Sequence, residues 1–315
     1  MISRKEFINK AGLFTSGALL VPQLSKLKSM INQSFNFTIS LAEWCLNKEL
    51  FSGEIDHLNF PVIAKKEYGI GAVEYVTQFF PDKATDFKYL ADLKNRADDH
   101  GVTSVLIMVD HGGFLSSEDE SVRKESVEKH FKWIDAAKFL ECHSVRVNLH
   151  GALDLETWTE ASINSLGTLA EYGKNAGVSV IVENHGSHSS HGGRLAHVLK
   201  QVNSDWAGTL PDFGNFCYKR EGDALWNTPC VAQYDIYEGT KELMPYAKGV
   251  SAKTFNFDED GNESSMDYIR LFKIIKESGF NNGYVGIEYE GDSIPANQGI
   301  KLTKSLLEKV REELN

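Results

Sequence analysis

Eight short apolar runs, each followed by a longer segment of helical character, recur along this chain from residue 35 to its end. The runs are rich in Val, Ile and Phe and fall at 35–42, 70–76, 102–109, 144–149, 178–183, 206–212, 247–254 and 283–289. Between them lie segments with helical period and good helix formers, among them Ala84–His100, Glu120–Glu141, Leu155–Ala176, Met266–Ser278 and Asn297–Glu313. Gly69, Gly101, Gly177 and Gly279 stand at helix-to-strand joints, where a helix C-cap needs a left-handed residue. Strand, helix and Gly turn repeated eight times predict an α/β chain folded as a parallel (β/α)8 barrel. The rival, an open doubly wound sheet, would place a glycine-rich phosphate loop after the first strand, and LAEWCLNKE does not resemble one.

A chain of 315 residues with 42% hydrophobic and 11% aromatic content can bury one large core, and no Pro- or Ser-rich linker interrupts it. We therefore expect a single barrel domain over 34–315 behind a leader over 1–33. The leader, MISRKEFINKAGLFTSGALLVPQL and its polar spacer, has a charged start and then an apolar segment from Ala11 to Val21. That segment is too short to span a bilayer, which takes about 20 residues, and suits a signal peptide. Ser3-Arg4-Lys5-Glu6-Phe7-Ile8 resembles a twin-arginine export signal, with Lys5 in place of the second arginine. The expectation is an exported, periplasmic protein without a stable membrane span, or a cytoplasmic one if the leader is an amphipathic cap instead.

The formal charge is −11, and residues 1–30 hold five basic groups against one acid, so the remainder is more acidic still. Such a surface repels phosphate backbones, which argues against a nucleic-acid partner. No interface pattern fixes the oligomeric state, and an oligomer is compatible with the sequence. Cys45, Cys142, Cys217 and Cys230 include no CxxC pair and read as buried small hydrophobes, with a disulfide only in an exported protein.

Three of the apolar runs end in a carboxylate, at Glu183 (VSVIVENHG), Asp212 (GTLPDFGNF) and Glu288 (YVGIEYEG), and a fourth (KGVSAKTF) ends in Lys253. Ionisable groups are expensive to bury, so their repetition at strand ends points to a shared polar site. In a barrel the chemistry sits at the carboxyl ends of the strands, where Glu43, His111, His150 and His185 also fall. Period-two alternation places Glu183 with His185 on one side of strand five, and Glu288 with Glu290 on one side of strand eight. Three converging carboxylates call for a cation. One reading supplies a divalent metal; the other is an internal network in which Lys253 neutralises the acids.

The motifs V-E-N-H-G, P-D-F-G-N-F, S-A-K and I-E-Y-E-G, on strands five to eight, resemble the xylose isomerase-like superfamily of sugar isomerases and epimerases. That group also contains ketose 3-epimerases, inosose dehydratases and endonuclease IV-like enzymes. The resemblance implies that Glu183, Asp212 and Glu288 bind a divalent metal (Mn, Mg, Co or Zn), with Glu183 and Glu288 also exchanging the substrate proton. The family's strand-seven histidine corresponds to Ser251 here. His185, or His150, is the candidate replacement ligand, and Lys253 is a candidate fixed cation for an enediolate. Trp44, Glu43, Glu74, His111, His150 and Asn215 are candidate contacts for a small carbohydrate, and the loop His185-Gly186-Ser187-His188-Ser189-Ser190-His191 is a further one. The implied activity is isomerisation or epimerisation by proton transfer next to a carbonyl. The alternatives are a lyase of the same superfamily, a non-catalytic sugar-binding barrel, and an endonuclease IV-like nuclease, which the acidic charge disfavours.

Overall fold

Parallel strands β1 (Thr38–Ala42), β2 (Ala72–Val76), β3 (Thr103–Met108), β4 (Ser144–Val147), β5 (Ser179–Glu183) and β6 (Ala207–Leu210) pair in chain order. The computed structural model describes residues 34–315, so the leader expected over 1–33 lies outside the described residues. An antiparallel hairpin, β7 (Cys217–Arg220) and β8 (Cys230–Gln233), interrupts the series before β9 (Val250–Thr254) and β10 (Tyr284–Tyr289). Strand β10 pairs with both β1 and β9, giving the order β6-β5-β4-β3-β2-β1-β10-β9. The last seam, β6 against β9, closes through isolated bridges at Thr209–Ala247 and Asp212–Ser251 rather than a full ladder. Residues 36–314 form one compact unit. The eight barrel strands fall within the eight expected runs.

Nine α-helices connect these strands among the described residues: α1 (Asn47–Ser52), α2 (Phe60–Tyr68), α3 (Phe87–Asp99), α4 (Glu120–Phe139), α5 (Leu155–Ala176), α6 (Gly192–Val202), α7 (Ile236–Leu243), α8 (Tyr268–Glu277) and α9 (Ala296–Glu313). Five start on an aspartate whose carboxylate accepts first-turn amides: Asp86, Asp119, Asp154, Asp235 and Asp267. Each such cap contributes about 1 kcal/mol. The chain leaves α5 through Gly177, at φ 78°, a conformation that costs a residue with a Cβ. No described helix is long and apolar enough to cross a membrane.

Inside the barrel the apolar side chains Ala72, Leu106, Ile181 and Leu210 belong to one buried cluster. Polar groups share the interior. Glu74 is 1% exposed and accepts the Ser40 hydroxyl at 2.6 Å. A Cβ at Gly286 would fall 2.6 Å from its carboxylate, so glycine is what lets β10 pass that group. Burial raises the Glu74 pKa to about 8, against the Ser40 hydrogen bond.

Two cysteines depart from expectation. Cys45 and Cys142 are buried and free, but Cys217 and Cys230 are joined in a disulfide across the β7–β8 hairpin. The hairpin register pairs Arg220 with Cys230 and Cys217 with Gln233, with irregular steps between, and the two cysteine Cα atoms lie 6.0 Å apart. Cross-linking a loop of this length removes about 3 kcal/mol of chain entropy from the open form.

Reducing the disulfide should therefore loosen the hairpin before the barrel. Limited trypsin digestion is expected to cut after Lys219 or Arg220 about tenfold faster in reductant, with the barrel strands still protected.

Glu74 binds its proton more tightly folded than unfolded, so its contribution to stability is full below about pH 4.5 and is lost as pH rises through about 8. Glu74→Gln, which keeps an acceptor for Ser40, should lose less melting temperature than the parent between about pH 6 and about pH 9.

Candidate active site

At the carboxyl ends of the strands a cavity of about 710 Å³ opens to solvent. Lys253 borders it from β9, Glu288 from β10 and Glu290 from just past β10, Asn148 and His150 from just past β4, and Trp44 from the turn after β1. Glu183 and Asp212 lie beneath, 1% and 0% exposed. Glu183, Asp212 and Glu288 each offer an oxygen, all within 4.8 Å of one another.

Two buried cations flank this floor. Lys253 Nζ lies 3.5 Å from Asp212 Oδ2, 3.8 Å from Glu288 Oε2 and 3.2 Å from Glu290 Oε1. Arg146, inward on β4, sets its Nε 2.9 Å from Glu183 Oε2 and also pairs with Asp110. Asp110 further accepts from Gln78 at 3.1 Å and Asn148 at 3.2 Å, and the Asn215 amide donates to Glu183 Oε1 at 2.9 Å. Burial opposes ionisation of Asp110, yet Arg146 and His185 hold its carboxyl well below the usual range. Burial pushes Glu183 up to about 7 despite Arg146, with Glu288 adding to the rise. Burial likewise raises Asp212, against the pull of Lys253. Lys253 keeps its proton, because Asp212, Glu288 and Glu290 outweigh its desolvation.

The arrangement fits a hard cation. Five carboxyl groups, Asp110, Glu183, Asp212, Glu288 and Glu290, face two cations. Ser251 Oγ lies 2.6 Å from Asp212 Oδ2 and 2.6 Å from Glu288 Oε2. A hydroxyl has one proton to donate, so the second contact needs a proton on a carboxyl or a cation between the oxygens. Ser251 stands where the resemblance placed an imidazole, so the groups gathered at this floor are oxygen donors, the donor type that hard cations take.

The structure brings Trp44, His111, His150, His185 and Asn215 to the cavity wall. His185 stands outside the carboxylate cluster: its Nδ1 is 3.0 Å from Asn148 Oδ1, and its ring lies 4.4 Å from that of Trp226. Its backbone carbonyl is 2.7 Å from His150 Nε2. Glu43 and Glu74 are buried and do not border the cavity. Glu43 accepts the Val76 amide at 2.8 Å and faces His57 Nε2 at 3.5 Å. His188 is held by Leu153 O and Arg194, and His191 stacks on Tyr234 at 3.9 Å.

Sequence reasoning missed Arg146, Asp110 and Trp226. Arg146 was visible: in S-V-R-V-N-L it shares parity with Asn148, opposite two valines that face the helices.

A (β/α)8 barrel with a carboxylate-floored cavity at its carboxyl face defines the class. Over residues 63–311 the chain matches the xylose isomerase-like TIM barrel family, and it belongs to that family. No curated protein matches it by sequence. Its fold is similar to D-psicose 3-epimerase from Clostridium cellulolyticum H10, solved with D-tagatose (TM-score 0.64, 14% identity, covering 89% of this chain and 100% of that one). It is also similar to the IOLI protein with a bound zinc atom (TM-score 0.66, 16% identity, 89% and 99%). A third likeness is to a xylose isomerase-like TIM barrel protein from Mycobacterium smegmatis in complex with magnesium (TM-score 0.58, 15% identity, 90% and 98%).

If the floor holds a hard cation, millimolar Mn²⁺ or Mg²⁺ should raise the melting temperature by mass action, by about 3 kcal/mol of stability at a hundredfold excess over Kd. Asp212→Asn should abolish that rise. An unmoved melting temperature in the parent would leave Lys253 and Arg146 as the site's only counter-charges.

Proposed function

We propose that this protein is a sugar or keto-sugar isomerase or epimerase that moves a proton next to a carbonyl through an enediolate. The observation that carries the reading is the floor itself: three buried carboxylates within 4.8 Å of one another beneath an open cavity. Glu183, with a pKa raised to about 7 by burial, is poised to take and return a proton near neutral pH. Asn215 and Arg146 hold its two oxygens in place. Glu288, which borders the cavity from β10, is the second proton carrier, so that a planar intermediate between the two can be reprotonated on another face or carbon. Lys253 remains charged and supplies a fixed positive field for the developing oxyanion. Glu183, Asp212 and Glu288, with Ser251 beside them, would hold a divalent metal, Mn or Mg by donor type, which polarises a carbonyl and an adjacent hydroxyl when bound. His150, Asn148 and Trp44 offer hydrogen bonds and an apolar face to the sugar.

Two further properties belong to the same reading. The acidic charge supports a small carbohydrate as the partner rather than nucleic acid. The Cys217–Cys230 disulfide supports a life outside the reducing cytoplasm, in line with the export signal expected in the leader.

Purified protein incubated with keto-sugars in deuterium oxide should introduce deuterium at carbon next to the carbonyl, followed by NMR. Glu183→Gln and Glu288→Gln should each slow this by about 10²–10⁴-fold, the usual share of a positioned acid or base. Exchange that survives both substitutions together would overturn the assignment.

A further inference from the structure

The cavity changes character from floor to rim. Its buried part carries Glu288, Lys253, Asn148 and His150, whereas Leu225, Trp226 and Phe114, the last 51% exposed, line its more exposed part together with the polar His111 and Asn227. At about 710 Å³ it falls in the range that encloses drug-sized ligands, roughly 300–1,000 Å³, and a single sugar ring over the carboxylates leaves the outer part to water. Phe114 is one of several exposed apolar side chains among the described residues, but it lines the same cavity as Leu225 and Trp226, so a ligand there would cover apolar surface that is otherwise in water.

Trp226 is held there by built contacts. It sits between β7 and β8, within the loop that the Cys217–Cys230 disulfide closes. Its ring lies 4.4 Å from His185 and 6.3 Å from His150, and the Arg220 guanidinium is 5.8 Å from its centroid. Beneath it Gly186 adopts φ 81°, and a Cβ there would approach the indole to 3.2 Å. Glycine thus serves both the turn after β5 and the approach of the ring.

We propose that the site takes a two-unit sugar, a glycoside or disaccharide, with its reacting ring over the carboxylate floor and its second ring against Trp226, Leu225 and Phe114. The inference rests on the carbohydrate reading of this site and names its substrate class. Trp226 and Phe114 are then specificity-determining residues that touch the unit that does not react.

Titration calorimetry with methyl glucosides against cellobiose, maltose and 4-nitrophenyl glucosides, in both anomeric forms, tests it. At least one two-unit probe should bind about tenfold more tightly than the matching methyl glucoside, the size of one good aromatic contact. Trp226→Ala should bring that ratio close to one, Trp226→Phe should keep most of it, and Phe114→Ala, at an exposed position, should lower it without disturbing folding. A ratio near one in the parent, a ratio unmoved by Trp226→Ala, or no binding of any two-unit probe at millimolar concentration overturns the proposal. The readout is binding alone, so a protein that keeps the ratio but exchanges no proton fails the isomerase reading and not this one.

Discussion

Burying carboxylates inside a barrel is the constraint on which this site depends. An ionised carboxylate costs several kcal/mol to desolvate unless a partner stays with it, and here Glu183, Asp212 and Glu288 sit together. Arg146 and Lys253 make this tolerable from opposite sides. Arg146 reaches Glu183 from β4, and Lys253 reaches Asp212 and Glu288 from β9. Neither cation offsets the cost of burial, which raises the pKa of Glu183 and of Asp212, with the neighbouring carboxylates adding to the rise. A site kept short of positive charge is prepared for a cation or for a proton in transit. Those are the two things the proposed chemistry requires.

The seam between β6 and β9 contributes geometry to the same end. A complete ladder there would carry regular strand past the floor. Instead β6 ends at Leu210, and the chain meets β9 again through the single Asp212–Ser251 bridge. That bridge sets Ser251 Oγ within 2.6 Å of Asp212 Oδ2, while the β9–β10 register, Gly286 with Ser251 and Glu288 with Lys253, brings Glu288 to the same hydroxyl. The same residue serves both ends: the Ser251 backbone closes the seam, and its hydroxyl lies between the Asp212 and Glu288 carboxylates.

Much of this was legible in the chain. Strands β5, β9 and β10 end where the apolar runs 178–183, 247–254 and 283–289 end, because buried parallel strands need continuous Val and Ile while polar residues begin at the mouth. The convergence of Glu183, Asp212 and Glu288 followed from that alone. The hairpin was not legible: CYKR and CVAQ are short and half-exposed, with no alternation to mark a buried face, and their pairing depends on a disulfide that spacing does not announce. Trp226 inherits that opacity, since only the hairpin carries it to His185. Arg146 is a different case. Its parity was readable, but a lone arginine between valines looks like an edge residue until the opposing Asp110 and Glu183 are placed in space.

The exchange of the expected strand-seven imidazole for Ser251 gains meaning from Lys253 two residues on. Both point to the same side of β9, and both touch Asp212 and Glu288. An imidazole at 251 would add a neutral nitrogen ligand and favour softer metals. The hydroxyl is smaller, adds only oxygen, and leaves Lys253 Nζ close enough to share the same carboxylates. Positive charge at this floor is thereby built partly into the chain, and less of it has to come from an ion. On the proposed reading such a barrel would tolerate weak metal binding without losing the field at its floor, because the Lys253 ammonium belongs to the chain and lies against Asp212 and Glu288.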